Sequence, residues 1–315
     1  MAKKDTILEK FEIRKSNKQK TEFIEYLTNR VISYGYKPEN IHVEERFKWI
    51  FKTRNIIVGN PDNAKIYLTA HYDTCAVSFL PNFMFPTNPF FYIISQVILV
   101  FLVCFIAWWF MVPFALFVEN PNACIYSFMF ALIVMQFQLT YGIKNKHNAN
   151  DNTSGVLTLL CIMKRLPPNI RNKVCFVFFD NEEKGLLGSI FFAQKHHHSQ
   201  KRLLINFDCV GDGDNVLLVS KKSARESKIF PLLTKSFEKS VKHRDIKLLF
   251  KKAFPLRLPS DQMCFDKGIA VATLKKKWFA RYCARIHTRF DTKCDMDNIE
   301  YLSDAIIKFL KERKY

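Results

Sequence analysis

The sequence predicts one α/β domain interrupted by an inserted two-helix hydrophobic hairpin. Short apolar runs with strand character alternate with longer stretches of helical period, the rhythm of a sheet covered by helices. From Cys75 to Ile143, 69 residues, Glu119 is the only Asp, Glu, Lys or Arg, which is not how the surface of a soluble domain is written. Removing that stretch leaves about 246 residues of a chain that is 49% hydrophobic, enough for one large core. Residues 1–74 and 144–315 are therefore expected to form the domain, and 75–143 the insertion.

The opening Met1-Ala2-Lys3-Lys4-Asp5-Thr6 leads into a charged stretch without the apolar region of a secretory signal, which predicts a cytosolic N-terminus. An amphipathic helix is expected from about Asn17 to Tyr34, then strands at Arg54 to Val58 and Lys65 to Ala70. In the insertion, residues 90–117 and 123–141 are each long enough to cross about 30 Å of hydrocarbon as a helix. A polar, helix-breaking Glu119-Asn120-Pro121-Asn122 joins them. Trp108, Trp109 and Tyr141 are candidate interfacial anchors, and Pro113 permits a kink. The alternative is a buried helical pair or a hydrophobic lid. Lys144 and Lys146 follow at once, which predicts an integral membrane protein with its bulk on the cytoplasmic side.

After the hairpin, Asp151-Asn152-Thr153-Ser154-Gly155 introduces a helix running to Arg165, stopped by Pro167-Pro168. Strands are expected at Val174 to Phe179, Leu203 to Phe207, Val216 to Val219 and Ile269 to Leu274, with helices between several of them. The last helix has Asp297 as cap with Glu300 three residues on, and Ile299, Leu302, Ile306 and Leu310 along one face.

Lysine and arginine number 48 against 29 acidic residues, a net charge of +19. Lys221-Lys222, Lys251-Lys252 and Lys275-Lys276-Lys277 belong to no recognisable nucleic-acid motif. Attraction to anionic lipid accounts for the charge more economically, and no nucleic-acid partner is expected. Nine scattered cysteines without a CxxC pair read as reduced core residues, against a disulfide framework or a cysteine-ligated zinc ribbon.

Acidic residues and histidines gather where three predicted strands end: His71-Tyr72-Asp73, Asp180-Asn181-Glu182-Glu183, and Asp208. In open α/β sheets ligands bind at the carboxyl ends of strands, so these groups can converge across the sequence. Imidazole and carboxylate donors without thiolate suit zinc in a hydrolytic site, and an aspartate can bridge two metals. Of two adjacent glutamates, one can bind metal while the other moves protons. Taken singly, His71 reads as a satisfied polar residue and Asp151 as a helix cap. His196-His197-His198 reads as a solvated run at the polar end of a helix.

Six segments in order resemble the co-catalytic zinc aminopeptidases of metallopeptidase family twenty-eight, which also includes glutamate carboxypeptidases and related glutaminyl cyclases. They are His71-Tyr72-Asp73-Thr74, Asn150 to Gly155, Phe179 to Ser189, Ile205 to Asp208, Ser260-Asp261, and Ile286 to Thr292. The resemblance covers nearly everything outside the hairpin. It implies a zinc-exopeptidase-like (phosphorylase/hydrolase-like) fold, a single mixed sheet with helices on both faces. It further implies two Zn2+ ions, one held by His71 and Asp208, the other by Glu183 and His287, with Asp151 bridging. Asp73 would orient His71, and Glu182 would take a proton from the metal-held water and return it to the leaving amine.

The chain departs from the family's pattern in two places. Eighty positions and the hairpin separate His71 from Asp151, and Gln262 stands where relatives often have His. The expected function is a membrane-anchored peptidase, an aminopeptidase acting on peptide substrates and contacting lipid through 75–143. The alternatives are an amide hydrolase or acyl-transfer enzyme on a membrane-borne substrate, and a non-catalytic binding protein on a peptidase fold. A complete two-metal set weighs against a single-zinc glutaminyl cyclase.

Overall fold

The computed structural model describes residues 5–48, 51–78, 84–117, 120–240, 246–253, 257–278, 280–283 and 285–313. The strands are β1 (Ile41–Lys48), β2 (Phe51–Val58), β3 (Ile66–His71), β4 (Val174–Phe179), β5 (Leu203–Phe207), β6 (Asn215–Ser220), β7 (Lys247–Lys252), β8 (Lys267–Lys277) and β9 (Ala280–Tyr282). The helices are α1 (Thr6–Lys10), α2 (Asn17–Ser33), α3 (Pro89–Phe117), α4 (Pro121–Tyr141), α5 (Ser154–Arg165), α6 (Pro168–Arg171), α7 (Leu187–Lys195), α8 (Lys222–Arg225), α9 (Phe230–Ser240) and α10 (Met296–Glu312).

The sheet runs β1-β2-β4-β3-β5-β8-β6-β7, with β9 pairing β8. Its centre, β4-β3-β5-β8, is parallel. Antiparallel β2 and β6 flank it, which makes the sheet mixed. Apolar residues on both faces of the central strands require cover on both sides. Ile66, Leu68 and Ala70 of β3 and Val174, Phe176 and Phe178 of β4 face a core completed by α2, α5, α9 and α10. Their neighbours Tyr67, Cys175, Val177 and Phe179 face Phe192 and Ala193 of α7 and Phe265. Burial of each large apolar side chain contributes about 1.5–3 kcal/mol.

Helix starts follow local chemistry. Ser16 and Gln19 form the capping box of α2, whose Phe23, Leu27 and Val31 are buried at four-residue spacing. In α10 the predicted stripe of Ile299, Leu302, Ile306 and Leu310 is fully buried. Its cap is Asp295 rather than Asp297: Asp295 accepts from the Asp297 N–H at 3.0 Å, and Asp297 already lies in the first turn, where its charge suits the helix dipole.

Strands β1 and β7 lie outside the sequence expectation. Both are sheet edges, exposed along most of their length and dense in charge, as edges that avoid further pairing are. Strand β8 runs beyond Leu274 through three lysines because β9 pairs with them.

Helices α3 and α4 pack against each other. Most of their large apolar side chains face outward, among them Phe101 at 72% and Phe130 at 67% exposed. Pro89–Pro113 is long and apolar enough to cross a membrane, whereas the apolar run of α4 among the described residues, Asn122–Gln138, is shorter. Pro113 sits inside α3 without ending it. Of the predicted turn, Glu119 lies outside the described residues, as do Met1 to Lys4. Asn120 caps α4 through the Asn122 N–H. Tyr141, an expected interfacial anchor, stacks on Phe51 of β2. The feet of the pair are joined: Ala76 bridges Lys144, and the Val77 N–H donates to the Ile143 carbonyl at 2.8 Å.

Candidate metal centre

The chain leaves β3 for β4 on one side and then crosses to β5 on the other, so the carboxyl end of β3 is a switch point where a crevice opens. His71 closes β3 in register with Phe179, which sets Asp180 to Glu183 beside it. Thr69 pairs with Asn206, bringing Asp208 to the same edge. Asp151 arrives on the turn Ala149–Thr153 ahead of α5. Asn152 ties this turn to β5, donating to the Phe207 carbonyl and accepting from the Cys209 N–H. Gly155 permits the approach, since a Cβ there would lie 2.4 Å from the Phe207 carbonyl. Asn181, Cys209 and His287 adopt left-handed backbone, which costs L-residues about 1–2 kcal/mol and here turns the chain at three of the clustered groups.

The two oxygens of Asp151 face different histidines. Oδ1 lies 3.3 Å from His71 Nε2 and Oδ2 lies 3.0 Å from His287 Nε2. His71 Nε2 is also 3.6 Å from Asp208, and His287 Nε2 is 3.2 Å from Glu183 Oε2. Asp73 Oδ1 lies 3.5 Å from His71 Nδ1. The same carboxylate accepts from the backbone N–H groups of Glu182 and Glu183 at 3.0 and 3.3 Å. Glu182 stands next to these groups, partly exposed to the crevice.

Burial lowers the proton affinity of both imidazoles, but the carboxylates around them outweigh it, and His71 and His287 are held well above the usual histidine range. Burial, Glu183, Asp208 and Asp261 raise Glu182, with His71 opposing. Asp73 and Asp151 go the other way: burial opposes their charge, yet His71, Lys20 and the Glu182 N–H bring Asp73 down to about 2, and His287 and His71 hold Asp151 well below the usual carboxylate range. The surplus of carboxylate over imidazole is what a bound cation would neutralise. Glu183 Oε1 is buried without a hydrogen-bond partner, an orphan that a cation would satisfy. Among the described residues two donor groups stand out, His71 with Asp151 and Asp208, and Cys75 with Glu183 and His287. Within each, the donor atoms lie within 4.8 Å of one another. The set fits divalent metal.

All seven residues expected from the sequence meet here. His196, expected to be solvated, is instead packed on Phe192 and lies 2.9 Å from Glu44, while His197 and His198 are exposed. His147 faces Glu12 at 3.4 Å. Three neighbours went unassigned. Asp291 accepts from the Asn150 and Asp151 N–H groups, both at 2.9 Å, and so fixes the Asp151 turn. It lies four positions after His287, inside the segment Ile286 to Thr292. Arg14 is fully buried and donates to the Tyr72 carbonyl and to Thr153 Oγ1; no spacing announces it. Cys75 reads in the sequence as one more reduced core cysteine.

The profile of peptidase family M28 matches residues 139–310. Aminopeptidase Y of Saccharomyces cerevisiae is 41% identical over 63 residues, which cover 19% of this chain and 12% of that protein. The glutaminyl cyclase of Bacteroides thetaiotaomicron superposes with a TM-score of 0.59 at 16% identity, over 98% of this chain and 94% of that one. LapA aminopeptidase of Legionella pneumophila superposes with a TM-score of 0.53 at 11% identity, over 96% and 68%. These structural likenesses are of fold.

Proposed function

The chain belongs to peptidase family M28, and on that premise we propose that it is a membrane-anchored, zinc-dependent aminopeptidase. The observation that carries the proposal is the placing of the Asp151 oxygens between His71 and His287, with Asp208 and Glu183 completing the two sides. On this reading His71 and Asp208 would hold one Zn2+ and Glu183 and His287 a second, with Asp151 shared between them. Zinc supplies polarisation of a carbonyl and acidification of water when bound.

Glu182 takes a proton from the attacking water and returns it to the leaving amine. Asp73 holds the His71 ring and, through two backbone N–H groups, the loop that aims Glu182. Asp291 holds the bridge. Helix α3 anchors the protein in the membrane with α4 beside it, and exposed Lys144 and Lys146 at their foot favour a cytoplasmic domain.

The test is digestion of a peptide library by metal-loaded protein in detergent, read by mass spectrometry. Stepwise shortening from the amino end is expected, lost in Glu182→Gln with metal content unchanged. Equal turnover by that variant would remove Glu182 as base, and internal or carboxyl-end cleavage would remove the aminopeptidase reading.

A second reading is amide chemistry on an N-terminal glutaminyl or membrane-borne substrate. The superposition on nearly all of a glutaminyl cyclase favours it, as does the joining of the helix-pair feet to the site wall: the Ser78 N–H donates to the His287 carbonyl at 2.7 Å. Ammonia release without chain shortening would select it.

A further inference from the structure

Cys75 lies four residues past His71, at the foot of α3, and is 4% exposed. Its carbonyl accepts from the Asn145 N–H on the opposite foot. The sulfur sits between the side chains of Asn145, 3.9 Å away, and Asn148, 3.6 Å away. Both are long sulfur contacts to neutral amides. The sulfur also belongs to the compact group with Glu183 and His287.

From the two-metal reading above, we infer that Cys75 is a ligand to the metal held by Glu183 and His287, the thiol proton leaving to solvent as the sulfur–metal bond forms. Zinc bonds of about 2.0–2.3 Å in a tetrahedron place neighbouring ligand atoms roughly 3.3–3.6 Å apart. Asp151 Oδ2 and Glu183 Oε2 already stand 3.0 and 3.2 Å from His287 Nε2. The sulfur lies within 4.8 Å of a ligand atom of each of Glu183 and His287, near enough for a small side-chain shift to supply the fourth vertex.

The consequence is a division of labour between the metals. Asp151, Glu183, His287 and Cys75 make a closed, four-ligand position of the kind that structural zinc occupies. His71, Asp208 and the other Asp151 oxygen leave the first position open, as a position that takes water or substrate must be. The sulfur also biases the closed position toward thiophilic ions and away from magnesium or manganese.

Cobalt(II) tests this without reference to turnover. Full-length protein in detergent, loaded with two cobalt ions, is expected to show a near-ultraviolet sulfur-to-cobalt charge-transfer band. The band should persist in Cys209→Ser and vanish in Cys75→Ser, which should bind its second metal about 10-fold or more weakly. Should Cys75→Ser fail to fold, Cys75→Asp is expected to keep two metals and lose the band. Two bound cobalt ions without the band, or a band that survives loss of Cys75, overturns the ligand assignment and leaves the two-metal reading standing. Protein that binds no metal overturns both.

Discussion

Asp291 touches neither histidine, yet two backbone N–H groups converge on its carboxylate and fix the turn that presents Asp151. Groups that hold metal ligands in place typically account for 10–100-fold in metal affinity. Asp291→Ala is therefore expected to weaken metal binding by that order in a chelator-competition titration, and unchanged affinity would show that Asn152, Arg14 and Gly211 hold the turn without it. Asp5 is a residue-scale case away from the site. It caps α1 through the Ile7 N–H and pairs with Arg30 through both oxygens, at 2.9 and 2.7 Å. Burial opposes its charge, but those bonds win and its pKa lies below 3.8. Its contribution is thus present above pH 4 and lost as pH falls through the lowered value. Asp5→Asn, which keeps an oxygen for the cap, should cost up to about 1 kcal/mol at pH 6 through the partly exposed ion pair, with the difference in urea midpoint closing toward pH 3. A difference that ignores pH would contradict the ion pair.

At the scale of elements, what could be read in advance depended on whether periodicity and burial agreed. The central strands β3, β4, β5 and β8 are continuous apolar runs because both faces are covered, and α10 shows its stripe because one face is. Edge strands β1 and β7 were not legible, since exposed Glu, Arg and Lys erase the alternation that burial imposes. The site was legible for the same reason as the centre: His71, Glu183 and Asp208 sit at the ends of those runs. Cys75 and Arg14 were not, because a thiol or a guanidinium in the sequence carries no sign of what packs on it. Helix α3 was legible by composition, and it yields a sharp test. Val100 and Phe101 are 61% and 72% exposed. In a bilayer, lysine at both positions costs about 2.5–3.5 kcal/mol each, so the double variant should leave the carbonate-resistant membrane fraction. If α3 were a lid in water, the same change would raise solubility and leave fractionation unaltered.

For the molecule as a whole, the question is whether the helix pair is an anchor or part of the catalytic apparatus, and the feet allow the two to be separated. Ala76 bridges Lys144 and Val77 bonds to Ile143, so the chain ends that would remain after excision already pair as a two-stranded bridge. Joining Ser78 to Gly142 through a short Asn-Gly turn, which suits such a bridge, should keep the Ser78 bond to His287 and the Asn145 bond to Thr288. The excised protein is expected to be soluble without detergent, to bind the same number of metal ions, and to turn over short soluble peptides. It should lose preference for any substrate presented in a bilayer. The net charge rises in it from +19 to +20, because the one charged residue removed is Glu119. Each basic group near an anionic surface contributes about 1 kcal/mol, screened within a Debye length. The excised protein should therefore bind phosphatidylserine vesicles at low ionic strength and release them as salt rises, whereas the intact protein should stay bound. Failure to bind at low salt would reduce the charge to a solvated surface and leave the helices as the sole membrane contact. Loss of metal along with the helices would instead make the helix pair part of what holds the metal centre together, since Cys75 and the feet remain in the excised chain.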